Sequence, residues 1–184
     1  EARAAAASNA ISIAGGTCSK TALALAKLCL ETLLEDGLKA KIAIENKVTS
    51  LAVENIIEAN TYLSGIGFES GGLAGAHAIH NGLTVLPECH HMFHGEKVAF
   101  GTLTQLVLEN ADLKEIEKII AFCKSLGLPT TLKELGVQEI TSEKIMAVAK
   151  ASCVEGETIH NMPFTVTAEN VYSAIMVADR LGSR

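Results

Sequence analysis

The chain has 184 residues, 48% of them hydrophobic and 20% charged, with no Trp and a net charge of −6. That length supports one domain with a substantial core. The acidic balance argues against nucleic acid, whose binding rests on Lys and Arg neutralising phosphates, and no apolar run reaches the roughly 18 residues a membrane span needs. The apolar content is mostly Ala, Leu, Ile and Val, which suits closely packed helices.

The first residues, Glu1-Ala-Arg-Ala-Ala-Ala-Ala-Ser8, are strong helix formers without an initiator Met or a secretory pattern. They read as entry into the middle of a helix, and the chain as a piece of a longer protein. Thr21 to Leu34 predicts a helix with Leu23, Leu30, Leu33 and Leu34 on its apolar face and Asp36-Gly37 as its stop. Leu51 to Leu63 predicts the next, with a break at Gly65 and Gly67. The segment Ser70 to Leu83 is rich in Gly and Ala, which predicts a buried central helix whose neighbours approach closely.

Pro87 to Phe93 reads as a loop or short turn, and His94 to Leu108 as a buried helix carrying Val98, Leu103, Leu106 and Val107. Asn110 is placed to cap a helix with Leu113, Ile116, Ile120 and Phe122 or Cys123 inward, ending at Gly127 before Pro129. Thr131-x-x-Glu134 and Thr167 with Glu169-Asn170 predict two more helix starts, with Ser142 to Ser152 helical between them. Ile11-Ser-Ile13 and Phe164-Thr-Val166 lean toward strand but are too short to found a sheet. The expected fold is an all-α helical bundle.

Chemistry is concentrated in one stretch. His77, His80, His90, His91 and His94 fall within eighteen residues, five of the six histidines in the chain. Neutral imidazole is the commonest metal ligand. His77 and His80 share a helix face, and His94 opens the next helix, so the three point to a metal or proton-transfer site. Two histidines are too few for a catalytic zinc, which takes three protein ligands. The competing geometry is His90-His91-x-x-His94 on one helix, set against Gly95, which weakens a helix there. His160 reads as a loop residue and Phe68 as core. Gly15-Gly16 and Gly71-Gly72 do not form a phosphate-binding G-x-G-x-x-G. The five cysteines (Cys18, Cys29, Cys89, Cys123, Cys153) are widely spaced, odd in number and without C-x-x-C, which predicts reduced thiols in a cytoplasmic protein.

Three segments carry a resemblance. Ala59-Asn-Thr-Tyr-Leu-Ser-Gly-Ile-Gly-Phe68-Glu-Ser-Gly-Gly-Leu-Ala-Gly-Ala-His77-Ala-Ile-His80-Asn-Gly82, the run from His90 through Gly95-Glu-Lys-Val to Leu106, and Gly156-Glu-Thr-Ile-His-Asn-Met-Pro163 closely resemble bacterial glycerol dehydrogenases of the iron-containing (group III) alcohol dehydrogenase superfamily. The resemblance implies NAD-dependent oxidation of glycerol, or a related small diol, at a Zn2+ held by one Asp and two His. It maps the two histidine ligands onto His77 and His94. It maps onto His80 a catalytic histidine near the nicotinamide, and onto Phe68 a residue lining the substrate pocket. It also implies a homo-oligomer, with no nucleic acid or membrane partner.

The departures matter as much. The family's Asp ligand lies ahead of the segment that opens this chain, and none of Asp36, Asp112 or Asp179 stands in matching sequence. Residues 1–184 therefore read as the helical, metal-binding C-terminal domain of a dehydroquinate synthase-like two-domain enzyme. The N-terminal dinucleotide-binding domain is absent, and the 184 residues alone are expected to be inactive. The alternative is a non-catalytic helical module for oligomerisation or binding. A third reading, a metal-dependent hydrolase, lacks the His-Asp pair such sites use.

Overall fold

The computed structural model describes residues 1–184 and is helical throughout. One isolated bridge, Ile11 to Thr17, stands in place of any sheet, and residues 164–166 form no strand. Contacts divide the chain into two compact units, Glu1–Leu73 and Ala74–Arg184.

In the first unit, α1 (Ala2–Ser8) is followed by α2 (Lys20–Glu45) and α3 (Leu51–Glu58). A π-helical turn (Ala59–Leu63) then runs directly into α4 (Ser64–Gly71). The Ser19 hydroxyl starts α2 by accepting from the Ala22 amide at 3.0 Å. The predicted stop at Asp36-Gly37 does not occur, because both residues lie buried inside a helix that runs eight residues beyond Gly37, to Glu45. The Asp36 carboxylate accepts from Asn55 Nδ2 of α3 at 2.7 Å and pairs with Lys39 one turn on. Those bonds, Lys39 first, hold its pKa below the usual carboxylate range. A glycine in a helix interior costs about 1 kcal/mol, and packing of α2 against α3 and α4 outweighs it. Ala40, Ala43, Ala52 and Val53 form the small core between α2 and α3.

The expected break at Gly65 and Gly67 is also displaced. The helix continues to Gly71 and ends at Gly72, whose φ of +86° is a left-handed conformation suited to glycine. Gly67 lies inside α4, facing Ala26 of α2.

The second unit holds α5 (Gly75–Leu83), α6 (His94–Leu108), α7 (Leu113–Leu126), α8 (Ser142–Ser152) and α9 (Ala168–Gly182), with 3-10 turns at Pro87–Cys89 and Thr158–Asn161. α5 is its central helix, packed on α6, α8 and the second 3-10 turn. Ile79, Leu83, Phe100, Leu103, Ile145, Val148 and Ile175 are fully enclosed around it. Three glycines set the spacing. A Cβ on Gly101 of α6 would strike the Ala76 carbonyl of α5, and one on Gly82 of α5 would strike Ser152 and the Val148 carbonyl of α8. Gly75 leaves room for Gln105 and Met162.

Two local expectations fail for identifiable reasons. Asp112, not Asn110, caps α7, accepting from the Lys114 amide at 2.8 Å; Asn110 sits at φ +50° in the preceding turn. Thr131 and Glu134 do make the reciprocal bonds of a capping box, at 3.0 and 3.2 Å. No helix follows, because Gly136 at φ +100° closes the turn, with Gly136 N donating to Lys133 O and Val137 N to Leu132 O. The box at Thr167 and Asn170, by contrast, opens α9.

Replacing Gly101 with Ala should destabilise the protein by about 1–3 kcal/mol, the usual cost of forcing a group into a filled contact. Gly95→Ala, where no atom lies within 4 Å of the added Cβ, should leave stability unchanged or raise it by up to about 1 kcal/mol. Urea midpoints of the two variants against the parent chain check both.

Candidate functional site

His77 and His80 lie one turn apart on α5, and His94 is the first residue of α6. The start of α5 is held by the buried Gln105 side chain, whose Oε1 accepts from the Ala76 amide at 2.9 Å, and by Thr158 Oγ1, which donates to Ala74 O at 2.7 Å. The start of α6 is held by Glu96, which accepts from the Phe93 amide at 2.6 Å. The buried Lys97 donates to Met92 O at 2.9 Å. Glu88, in the turn between the helices, pairs with Lys144 of α8 at 2.6 Å, which keeps its pKa low.

These anchors bring the three predicted rings together. Centroids stand 5.3 Å apart for His77 and His94, 4.3 Å for His80 and His94, and 6.4 Å for His77 and His80. His94 Nδ1 lies 3.1 Å from His80 Nε2. Burial, with further contributions from His94, Lys97 and His77, lowers the pKa of His80 against an opposing bond to Asn81. A neutral imidazole is therefore favoured at the centre of the cluster.

The competing His90-His91-His94 arrangement is not formed. The 3-10 turn at Pro87–Cys89 sends His90 back to Thr84 O, 2.9 Å from its Nε2, while the His91 ring lies over Gly136. Neither takes part in the three-ring cluster. His160 Nε2 lies 3.1 Å from Val154 O, the loop role expected of it. Phe68 is on α4 in the first unit and 43% exposed, so it is not the core residue its apolar character predicts.

Sequence reasoning missed two residues. Asn81 Oδ1 is 2.9 Å from His80 Nδ1, and Asn81 Nδ2 donates to both Glu157 carboxylate oxygens at 2.9 and 3.2 Å. Seventy-six residues separate them; no local pattern links Asn81 to Glu157, although the adjacency of His80 and Asn81 was a cue.

As a donor set, the cluster is rich in imidazole and lacks a carboxylate or thiolate. No group of three or more His, Cys, Asp or Glu side chains is arranged to hold a metal ion by itself. Burial pushes the Cys89 and Cys123 thiols up to about 11, and neither belongs to a group arranged to hold a metal ion. The donors the cluster could offer a metal ion are imidazoles, those of His77 and His94 standing with centroids 5.3 Å apart.

Comparison with known proteins agrees along the whole chain. The glycerol dehydrogenase of Citrobacter freundii is 61% identical over all 184 residues, and that of Escherichia coli 59%. Over its whole length the chain is similar to glycerol dehydrogenases. A crystal structure of a probable glycerol dehydrogenase from Sinorhizobium meliloti 1021 superimposes with a TM-score of 0.95 at 49% identity, covering all of this chain and 52% of that one. The chain spans about half the length of the curated relatives it matches. No family model matches it.

A thiol with a pKa of about 11 is only about one-thousandth thiolate at pH 8, and the fraction grows about tenfold per pH unit. Iodoacetamide should therefore label the partly exposed Cys18 well before Cys89 and Cys123 in the native chain at that pH. Denaturant should erase the difference. Peptide mapping by mass spectrometry reads the order.

Proposed function

We propose that these 184 residues are the metal-binding, helical C-terminal half of an NAD-dependent glycerol dehydrogenase, which converts glycerol or a related small diol to its ketone, dihydroxyacetone in the case of glycerol. The observation that carries this is the convergence of His77 and His94, ring centroids 5.3 Å apart, in a chain that aligns from end to end with enzymes of that name. No helix is long and apolar enough to cross a membrane. A cytoplasmic setting, and no part in membrane or nucleic-acid binding, belong to the same proposal.

In this reading His77 and His94 hold Zn2+ together with an Asp from the remainder of the protein. Zinc bound there would polarise the substrate hydroxyl, and NAD, cradled by a separate dinucleotide-binding domain, would take up the hydride. His80, neutral and against His94, orders the nicotinamide side of the site or passes on the hydroxyl proton. Phe68 offers an apolar wall to the carbon skeleton of the diol. A homo-oligomer belongs to the same proposal.

A calorimetric zinc titration tests the ligand assignment. His77→Ala and His94→Ala should each abolish zinc binding by the chain, and His90→Ala should leave it intact. Equal losses from all three would contradict the pairing of His77 with His94. The 184 residues alone contain no strand to build a nucleotide-binding sheet, so they should reduce no NAD with glycerol in a spectrophotometric assay.

A further inference from the structure

The bonds among His94, His80, Asn81 and Glu157 form one continuous line, and chemistry fixes the direction of each. A carboxylate only accepts, so the Asn81 amide nitrogen must face Glu157, as it does at 2.9 and 3.2 Å. That leaves Asn81 Oδ1 on the opposite side, 2.9 Å from His80 Nδ1. An amide oxygen also only accepts, so His80 Nδ1 carries the proton. In a neutral ring the lone pair is then on Nε2, which lies 3.1 Å from His94 Nδ1. His94 must donate there, and its own lone pair falls on Nε2.

We propose that Glu157 and Asn81 are positioning residues that, through His80, fix the tautomer and ring orientation of His94, so that His94 offers Nε2 to a metal ion. The proposal rests on the reading of His94 as a ligand. It also sets His80 apart from the ligands, because the Nε2 it would coordinate with is the acceptor for His94. The proton position on one ring nitrogen is set by the hydrogen bond the other makes, and such outer partners govern how tightly a metal is held. Glu157 suits this task because it precedes the 3-10 turn whose Thr158 also ties down the start of α5. The acceptor that orders the rings and the bond that orders their helix therefore come from one short segment.

Long-range proton–nitrogen NMR correlation on the full, metal-free 184-residue chain, just above neutral pH, reads each histidine tautomer directly. His80 and His94 should both carry the proton on Nδ1. His90 and His160, whose Nε2 atoms face the Thr84 and Val154 carbonyls, should carry it on Nε2 and serve as internal references for the native fold. A proton on Nε2 of His80 or His94, or a doubly protonated His80, would overturn the proposal without any variant. In Glu157→Ala the two Nδ1–H signatures should give way to mixtures while His90 stays unchanged; signatures that persist would overturn the role of Glu157. Zinc affinity should fall about tenfold or more in that variant, and an unchanged affinity would overturn its bearing on the metal. The two readings fail separately. Zinc that does not bind the parent chain, with the tautomers as described, would refute the metal site and leave the relay standing; normal zinc binding with other tautomers would refute the relay alone.

Discussion

The site depends on how closely α5 lies against its neighbours. Gly101 of α6 faces the Ala76 carbonyl of α5, and Gly82 of α5 faces Ser152 and the Val148 carbonyl of α8. Neither crossing has room for a methyl group. From the Gly101 contact, α5 proceeds one turn to His80, while α6 runs back two turns, about 10 Å, to His94. The two helices are thus antiparallel, and their rings meet with centroids 4.3 Å apart. Separating the helices by the width of a side chain would break the contact between His94 and His80 without changing the identity of any site residue.

Around that crossing, the polar bonds do what apolar packing cannot: they set rotation and register. Gln105 reaches from α6 to the Ala76 amide, Thr158 to the Ala74 carbonyl, and Lys144 from α8 to Glu88 in the connecting turn. Each ties a helix start or turn next to a histidine. The cluster is consequently held from both helices and from the second 3-10 turn, which is the kind of support a metal site needs to keep its ligands in place. His80, whose pKa is lowered chiefly by burial, is the centre of that arrangement.

Much of this was legible in the sequence. Both α6 and α8 were read to the residue, and the joint presence of His77, His80 and His94 in one site followed from helical spacing and the family resemblance. What was not legible depends on tertiary contact. Asp36-Gly37 reads as a helix stop until Asn55 and Lys39 satisfy the carboxylate. Thr131-x-x-Glu134 reads as a helix start until Gly136 turns the chain away. The spacing His90-His91-x-x-His94 could not be judged without the 3-10 turn that sends His90 to Thr84. The tie from Asn81 to Glu157 spans 76 residues and leaves no local trace.

The central claim is the proposal that His77 and His94, and no thiol, are the residues that would bind a metal ion in this chain. X-ray absorption at the zinc edge of the zinc-loaded chain tests it most directly. The account predicts a nitrogen and oxygen shell near 2.0–2.1 Å with the scattering of two imidazole rings, lost in His94→Ala. A sulfur shell near 2.3 Å, or two-ring scattering that survives His94→Ala, would contradict it.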